Sequence, residues 1–196
     1  MDPWCDGISV GLYRREGQGG PEAVVHSYSR KPGTLERVAF VTQALEVLGG
    51  LDPVPGSSDH AARLPCGDWH AAAMRRAFLD CFRVDPAQPL EVKPLEAPDT
   101  RSSQLIRLLP VGGGAYRVLA ENVPDGEESR AEPIARALVR LVELDPVDET
   151  TVSFRCGHEH HELMGLMLVR AQNLRAALRE EELSASRGVL AAPSEQ

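Results

Sequence analysis

The chain predicts an α/β fold of the α+β type, built from one β-β-α-β-α unit written twice. Three observations carry that reading. Cys-Gly-x-x-His occurs as Cys66, Gly67 and His70 and again, ninety positions later, as Cys156, Gly157 and His160. Leu-Asp-Pro-Val closes a helical run at 51–54 and again at 144–147. The alternation of strand-like and helix-like spacing follows the same order in both halves. Helices between strands imply crossovers that stack the helices on one face of a sheet. Two such units pair naturally about a pseudo-twofold axis.

The elements follow in order. Ile8, Val10 and Leu12 alternate with small or polar residues, the period of a half-buried strand over 8–15. A second strand over 22–29 follows the Gly-rich turn EGQGG, and Lys-Pro-Gly at 31–33 breaks it. From Thr34, a candidate cap, Val38, Val41, Leu45 and Leu48 share one helical face, and Gly49-Gly50 ends the helix. A Pro/Gly/Ser-rich loop leads to a short strand near 62–65. The Cys66-Gly67 turn then opens a helix through Val84, with His70, Met74, Phe78 and Phe82 on one stripe.

Residues 85–103 carry Pro86, Pro89, Pro94 and Pro98 and read as the connector, with a strand embedded at 90–95. The second unit repeats the order: a hairpin of 104–110 and 115–122 around Gly112-Gly113-Gly114, then a helix over 129–144. That helix tolerates Pro133 in its first turn and has Ile134, Leu138 and Leu141 on one face. A strand over 150–155 and a long helix over 158–183 complete it, with His160, Met164, Met167, Ala171, Leu174 and Leu178 as the buried stripe. The predicted division is 1–88, a connector at 89–103, 104–183, and a mobile tail at 184–196.

Composition narrows the function classes. With 196 residues and 42% hydrophobic content the chain can bury a real core. A net charge of −8 and a pI near 5.3, without a Lys/Arg run, argue against nucleic acid as a partner. No apolar stretch reaches membrane-spanning length, and MDPWCDGIS lacks a signal core. The expected setting is therefore cytoplasmic and soluble, with Cys5, Cys66, Cys81 and Cys156 as free thiols. No GxGxxG, P-loop or G-x-S-x-G motif is present.

The order of elements, doubled in this length, resembles imidazoleglycerol-phosphate dehydratase, of the duplicated ribosomal-S5-domain-2-like architecture. In that family each half carries a His-His-x-x-Glu metal motif where a strand meets a helix. Gly157, His160, His161 and the helix ending RAQNLRAAL are similar. Met164 and Met74 stand where the motif glutamates belong, Ala71 follows His70, and VTQALEVL lacks the family's further His motif. The resemblance implies the family's fold and not its reaction.

Two metal sites can be written from the residues. If the halves meet, Cys66, His70, Cys156 and His160 supply a tetrahedral zinc set. Alternatively, His158, His160 and His161, helped by Glu159 or Glu162, form a local site for a divalent metal. Against both stands the plain reading of Cys as a small buried hydrophobe and His as a core or cap residue. The function that follows is a non-catalytic binding or assembly protein, with a protein partner or self-association and a structural metal. The alternative is a divergent divalent-metal lyase or hydrolase using the His158–His161 cluster.

Overall fold

The structure is a computed structural model that describes residues 7–13, 22–54, 60–64, 66, 70–81, 84–99 and 102–173. It is a mixed α+β fold with two antiparallel sheets and four helices. The first sheet holds β1 (Ile8–Tyr13), β2 (Glu22–Ser27), β3 (Asp52–Pro53) and β4 (His60–Arg63) in the order β1-β2-β4-β3. The second holds β5 (Glu96–Pro98), β6 (Leu105–Gly112), β7 (Ala115–Glu121), β8 (Asp145–Pro146) and β9 (Thr151–Ser153) in the order β5-β6-β7-β9-β8. The helices are α1 (Thr34–Gly49), α2 (Ala71–Cys81), α3 (Ala131–Val142) and α4, described over 161–173.

The crossovers expected from the sequence are present in a split form. β4 pairs antiparallel with both β2 and β3, so β3 runs parallel to β2 with β4 between them. α1 bridges that gap, packing on β2 and β4. In the second sheet α3 packs on β7, β8 and β9, and β9 lies between β7 and β8 in the same way. The two Leu-Asp-Pro-Val segments thus do more than end helices. Each contributes a two-residue Asp-Pro edge strand, where a proline without an N–H costs the ladder nothing.

Several boundaries move, each for a local reason. The N-cap of α1 is Gly33, in the left-handed region at φ 79°, while Thr34 is already helical and its hydroxyl donates to the Lys31 carbonyl at 2.7 Å. Gly50, at φ 63°, ends α1 as expected. The strand expected at 90–95 lies instead at Glu96–Pro98, because pairing begins only where the Leu95 carbonyl accepts the Leu108 N–H at 2.7 Å. α3 starts at Ala131 rather than 129, and Val142 is buried where Leu141 is half-buried.

The core draws on both halves. Val38, Val41, Leu45, Met74 and Phe78 belong to the same apolar cluster as Ile106, Val118, Ile134, Leu138 and Met167. α2 contacts α1 on one side and α3 on the other, which joins the two sheets through their helices. α4 is more enclosed than its single stripe predicts: Leu163, Met164, Gly165, Leu166, Met167 and Leu168 are consecutive and buried. The connector lies directly on it at Gly165, and Arg170 pairs with Asp80 of α2 at 3.1 Å. No helix among the described residues is long and apolar enough to cross a membrane. Cys5, the 14–21 turn, the 55–59 part of the Pro/Gly/Ser-rich loop, Gly67, Phe82, the 174–183 end of the last helix and the tail at 184–196 lie outside the described residues.

Candidate metal centre

The Cys and His of both Cys-Gly-x-x-His segments lie between a short strand and a helix, and the two helices are adjacent in the core, with Arg170 of α4 on Asp80 of α2. Cys66 follows β4 and His70 immediately precedes α2. Cys156 follows β9, and His160 stands at the entrance of α4, its carbonyl accepting the Met164 N–H at 2.8 Å. One ligand atom from each of Cys66, His70, Cys156 and His160 lies within 4.8 Å of every other. Among the described residues this is the one such group of three or more His, Cys, Asp or Glu.

The Cys156 sulfur is central to the group. His70 Nε2 lies 3.1 Å from it and His160 Nε2 3.3 Å. Ligand atoms around a tetrahedral zinc are about 3.3–3.8 Å apart, given Zn–S and Zn–N bonds near 2.3 and 2.0 Å. The observed spread needs adjustments of about 1 Å or less to match. The two imidazoles meet edge to face with centroids 4.4 Å apart, and Phe154 walls them, 5.0 Å from each.

The donor chemistry fits a borderline-soft ion such as zinc. Two sulfurs and two imidazoles converge without a carboxylate among them, and a dication needs the imidazoles neutral. Burial, followed by the neighbouring His160 and His158, pushes His70 down to about 4. Burial and His158 likewise lower His160. Burial and the adjoining Cys156 push the Cys66 thiol up to about 11, so it keeps its proton at neutral pH until a cation displaces it. His70 Nδ1 is buried and has no hydrogen-bond partner among the described residues, leaving Nε2 as the polar edge that reaches the cluster.

The loop carrying the second pair is held from the side by β7. Tyr116 Oη accepts the His160 N–H at 2.8 Å and lies 3.2 Å from His161 Nδ1. Burial pushes this fully enclosed phenol up to about 12. Gly157, at φ 74°, turns the chain back, with its N–H on the Phe154 carbonyl at 3.1 Å. These restraints explain why α4 begins at 161 and not at 158: residues 156–160 form a loop that presents Cys156, His158 and His160 to the first half. The hairpin tip supports it, since a Cβ on Gly114 would sit 2.9 Å from Gly157 C and the His158 carbonyl oxygen.

The remaining candidates take different positions. His158 Nδ1 is 3.5 Å from the Cys66 sulfur, at the margin of the group. His161 is directed elsewhere, with Nε2 3.2 Å from Glu159 and Nδ1 toward Tyr116. Cys66, Cys81 and Cys156 are free thiols, and Cys81 is wholly buried in the core. Spacing within the chain pointed to the Cys and His residues, but nothing in it singles out Tyr116, Phe154 or Gly114 as their supports.

Comparison with family models, with curated proteins and with solved structures finds no match to this chain.

Proposed function

We propose that the protein is a non-catalytic binding or assembly protein whose two halves are clipped together by a structural zinc ion. Cys66 and His70 hold the ion from the first half, and Cys156 and His160 from the second. The observation that carries this is the convergence, within 4.8 Å, of two donors from each of two segments ninety positions apart. Four protein ligands saturate a tetrahedral ion, the mark of a structural site rather than a catalytic one that keeps a position open. In this reading the halves descend from one duplicated unit, a proposal supported by the recurring strand orders β1-β2-β4-β3 and β6-β7-β9-β8. The likeness to imidazoleglycerol-phosphate dehydratase is carried forward as a proposal of shared topology alone, since Met164 is fully buried at the glutamate position.

The binding role has a candidate surface. An apolar groove of about 380 Å³ runs along α3 and the β8–β9 edge, lined by Ala135, Val139, Pro146 and Val152 among charged residues of both signs, with Arg136 paired to Glu132.

The test is elemental analysis of protein purified without a histidine tag, beside Cys66→Ser, His70→Ala, Cys156→Ser and His160→Ala. The expected result is about one zinc per chain, lost in each variant together with thermal stability. Metal-free protein, or zinc whose removal leaves the melting temperature unchanged, defeats the clip.

A second reading, a divalent-metal lyase or hydrolase using the His158–His161 cluster, draws support from His158, whose Nδ1 lies 3.5 Å from the Cys66 sulfur at the margin of the group. It requires His158, His160 and His161 to share the ion. His161→Ala would then remove metal, whereas the clip predicts that it leaves zinc content unchanged.

A further inference from the structure

The sulfurs of the cluster differ from the remaining described thiol in two ways. Cys66 and Cys156 are partly open to solvent, whereas Cys81 is fully enclosed. They also lie within 4.8 Å of each other, each on a turn outside the strand ladder. A thiol in a turn can shift toward a neighbouring sulfur without breaking sheet hydrogen bonds. Oxidation follows thiolate character and exposure, and this site leaves both cysteines within reach of a small oxidant while Cys81 is not.

We propose that Cys66 and Cys156 form an oxidant-operated release for the metal, in which peroxide converts the thiolate pair to a disulfide, zinc leaves, and the covalent bond takes over the clip. This rests on the reading of the cluster as a zinc site. The chemistry balances with hydrogen peroxide as the only co-reactant. One thiolate attacks a peroxide oxygen, the O–O bond breaks, and hydroxide departs, leaving a sulfenic acid. The second thiolate attacks that sulfur, the S–S bond forms, the S–O bond breaks, and a second hydroxide departs. Solvent supplies two protons, giving two waters. The thiolates are oxidised by two electrons and the peroxide is reduced by two. His70 and His160 remain as two neutral nitrogen donors, too few to retain the ion.

The product keeps the halves together. A bond from 66 to 156 closes a long loop and restricts the unfolded chain, so the oxidised metal-free form should melt above the reduced metal-free form.

The experiment treats the zinc-loaded full-length chain with hydrogen peroxide in the presence of a chromogenic zinc indicator, followed by intact-mass measurement and peptide mapping. The metal-free chain and a zinc-loaded Cys81→Ala variant run in parallel. The expected result is one zinc released per disulfide, a mass loss of two hydrogens, a cross-linked peptide joining Cys66 to Cys156, and recovery of zinc binding after dithiothreitol. Cys81→Ala should behave identically. Zinc that stays bound under peroxide overturns the release while leaving the clip intact. Release with the sulfurs recovered as sulfinic or sulfonic acids, or paired with Cys5 or Cys81, overturns it too. A chain that takes up no zinc at the outset overturns the clip and the release together.

Discussion

His70 carries most of the electrostatic consequence at the scale of single residues. It is 1% exposed and must be neutral to stay where it is. Its folded pKa, about 4, lies below the ordinary value of 6.5. In metal-free protein the unfolded state therefore takes up more protons between those values, and stability, complete above pH 6.5, is lost progressively as pH falls toward 4. Melting curves of chelator-treated protein should show that acid limb, and His70→Leu should flatten it. Tyr116→Phe tests the loop support: the half-buried His160 N–H loses its acceptor, at an expected cost of about 1 kcal/mol. Denaturant unfolding of that variant reads it directly. Gly114→Ala is the sharper change. Its φ of 75° disfavours a Cβ by about 1–2 kcal/mol, and backbone atoms of Gly157 and His158 stand at 2.9–3.0 Å. It should displace the Cys156 loop and weaken zinc binding at least about tenfold, as a competition titration would show, since about 1.4 kcal/mol is a factor of ten. Gly113→Ala, with nothing within 4 Å of its Cβ, should cost only the backbone strain.

At the scale of elements, α4 is the helix the others close around. Its six consecutive buried residues need cover on more than one side, and the connector supplies part of it. Gly165 shows how closely. Alanine in a helix interior normally gains about 1 kcal/mol over glycine. Here its Cβ would lie 2.4 Å from the Lys93 carbonyl oxygen and 3.2 Å from that of Pro94. Overpacking of this kind costs about 1–3 kcal/mol, so the clash outweighs the propensity gain and Gly165→Ala should lower the melting temperature. The same shift should loosen the Leu108 N–H to Leu95 carbonyl bond, visible as faster hydrogen exchange at Leu108.

The whole molecule combines one shared core with a cluster that spans its halves. Zinc bound there must displace the proton held by Cys66, so uptake should release protons and weaken as pH falls. Calorimetry in buffers of different ionisation enthalpy at pH 7 would count at least one proton per zinc. Chelation should lower the melting temperature without abolishing the fold, because the core holds the halves in contact independently of the metal.

Local periodicity determined much of this architecture. The face of α1 is buried as its spacing predicts, as are His70, Met74 and Phe78 on that of α2, and Cys66 and Cys156 do follow short strands while His70 and His160 stand at the entrances of helices. Such features depend on near neighbours in the chain, which a sequence displays. The two Asp-Pro edge strands, the enclosure of α4 and the start of that helix at 161 were not legible, because each depends on what a distant segment places alongside: β4 and β9 for the strands, the connector for α4, Tyr116 for the loop. The candidate site divides the same way. The four donors were named by repetition along the chain, but only packing between α2 and the 156–160 loop decided that they face one another. It also turned His161 toward Tyr116 and away from them.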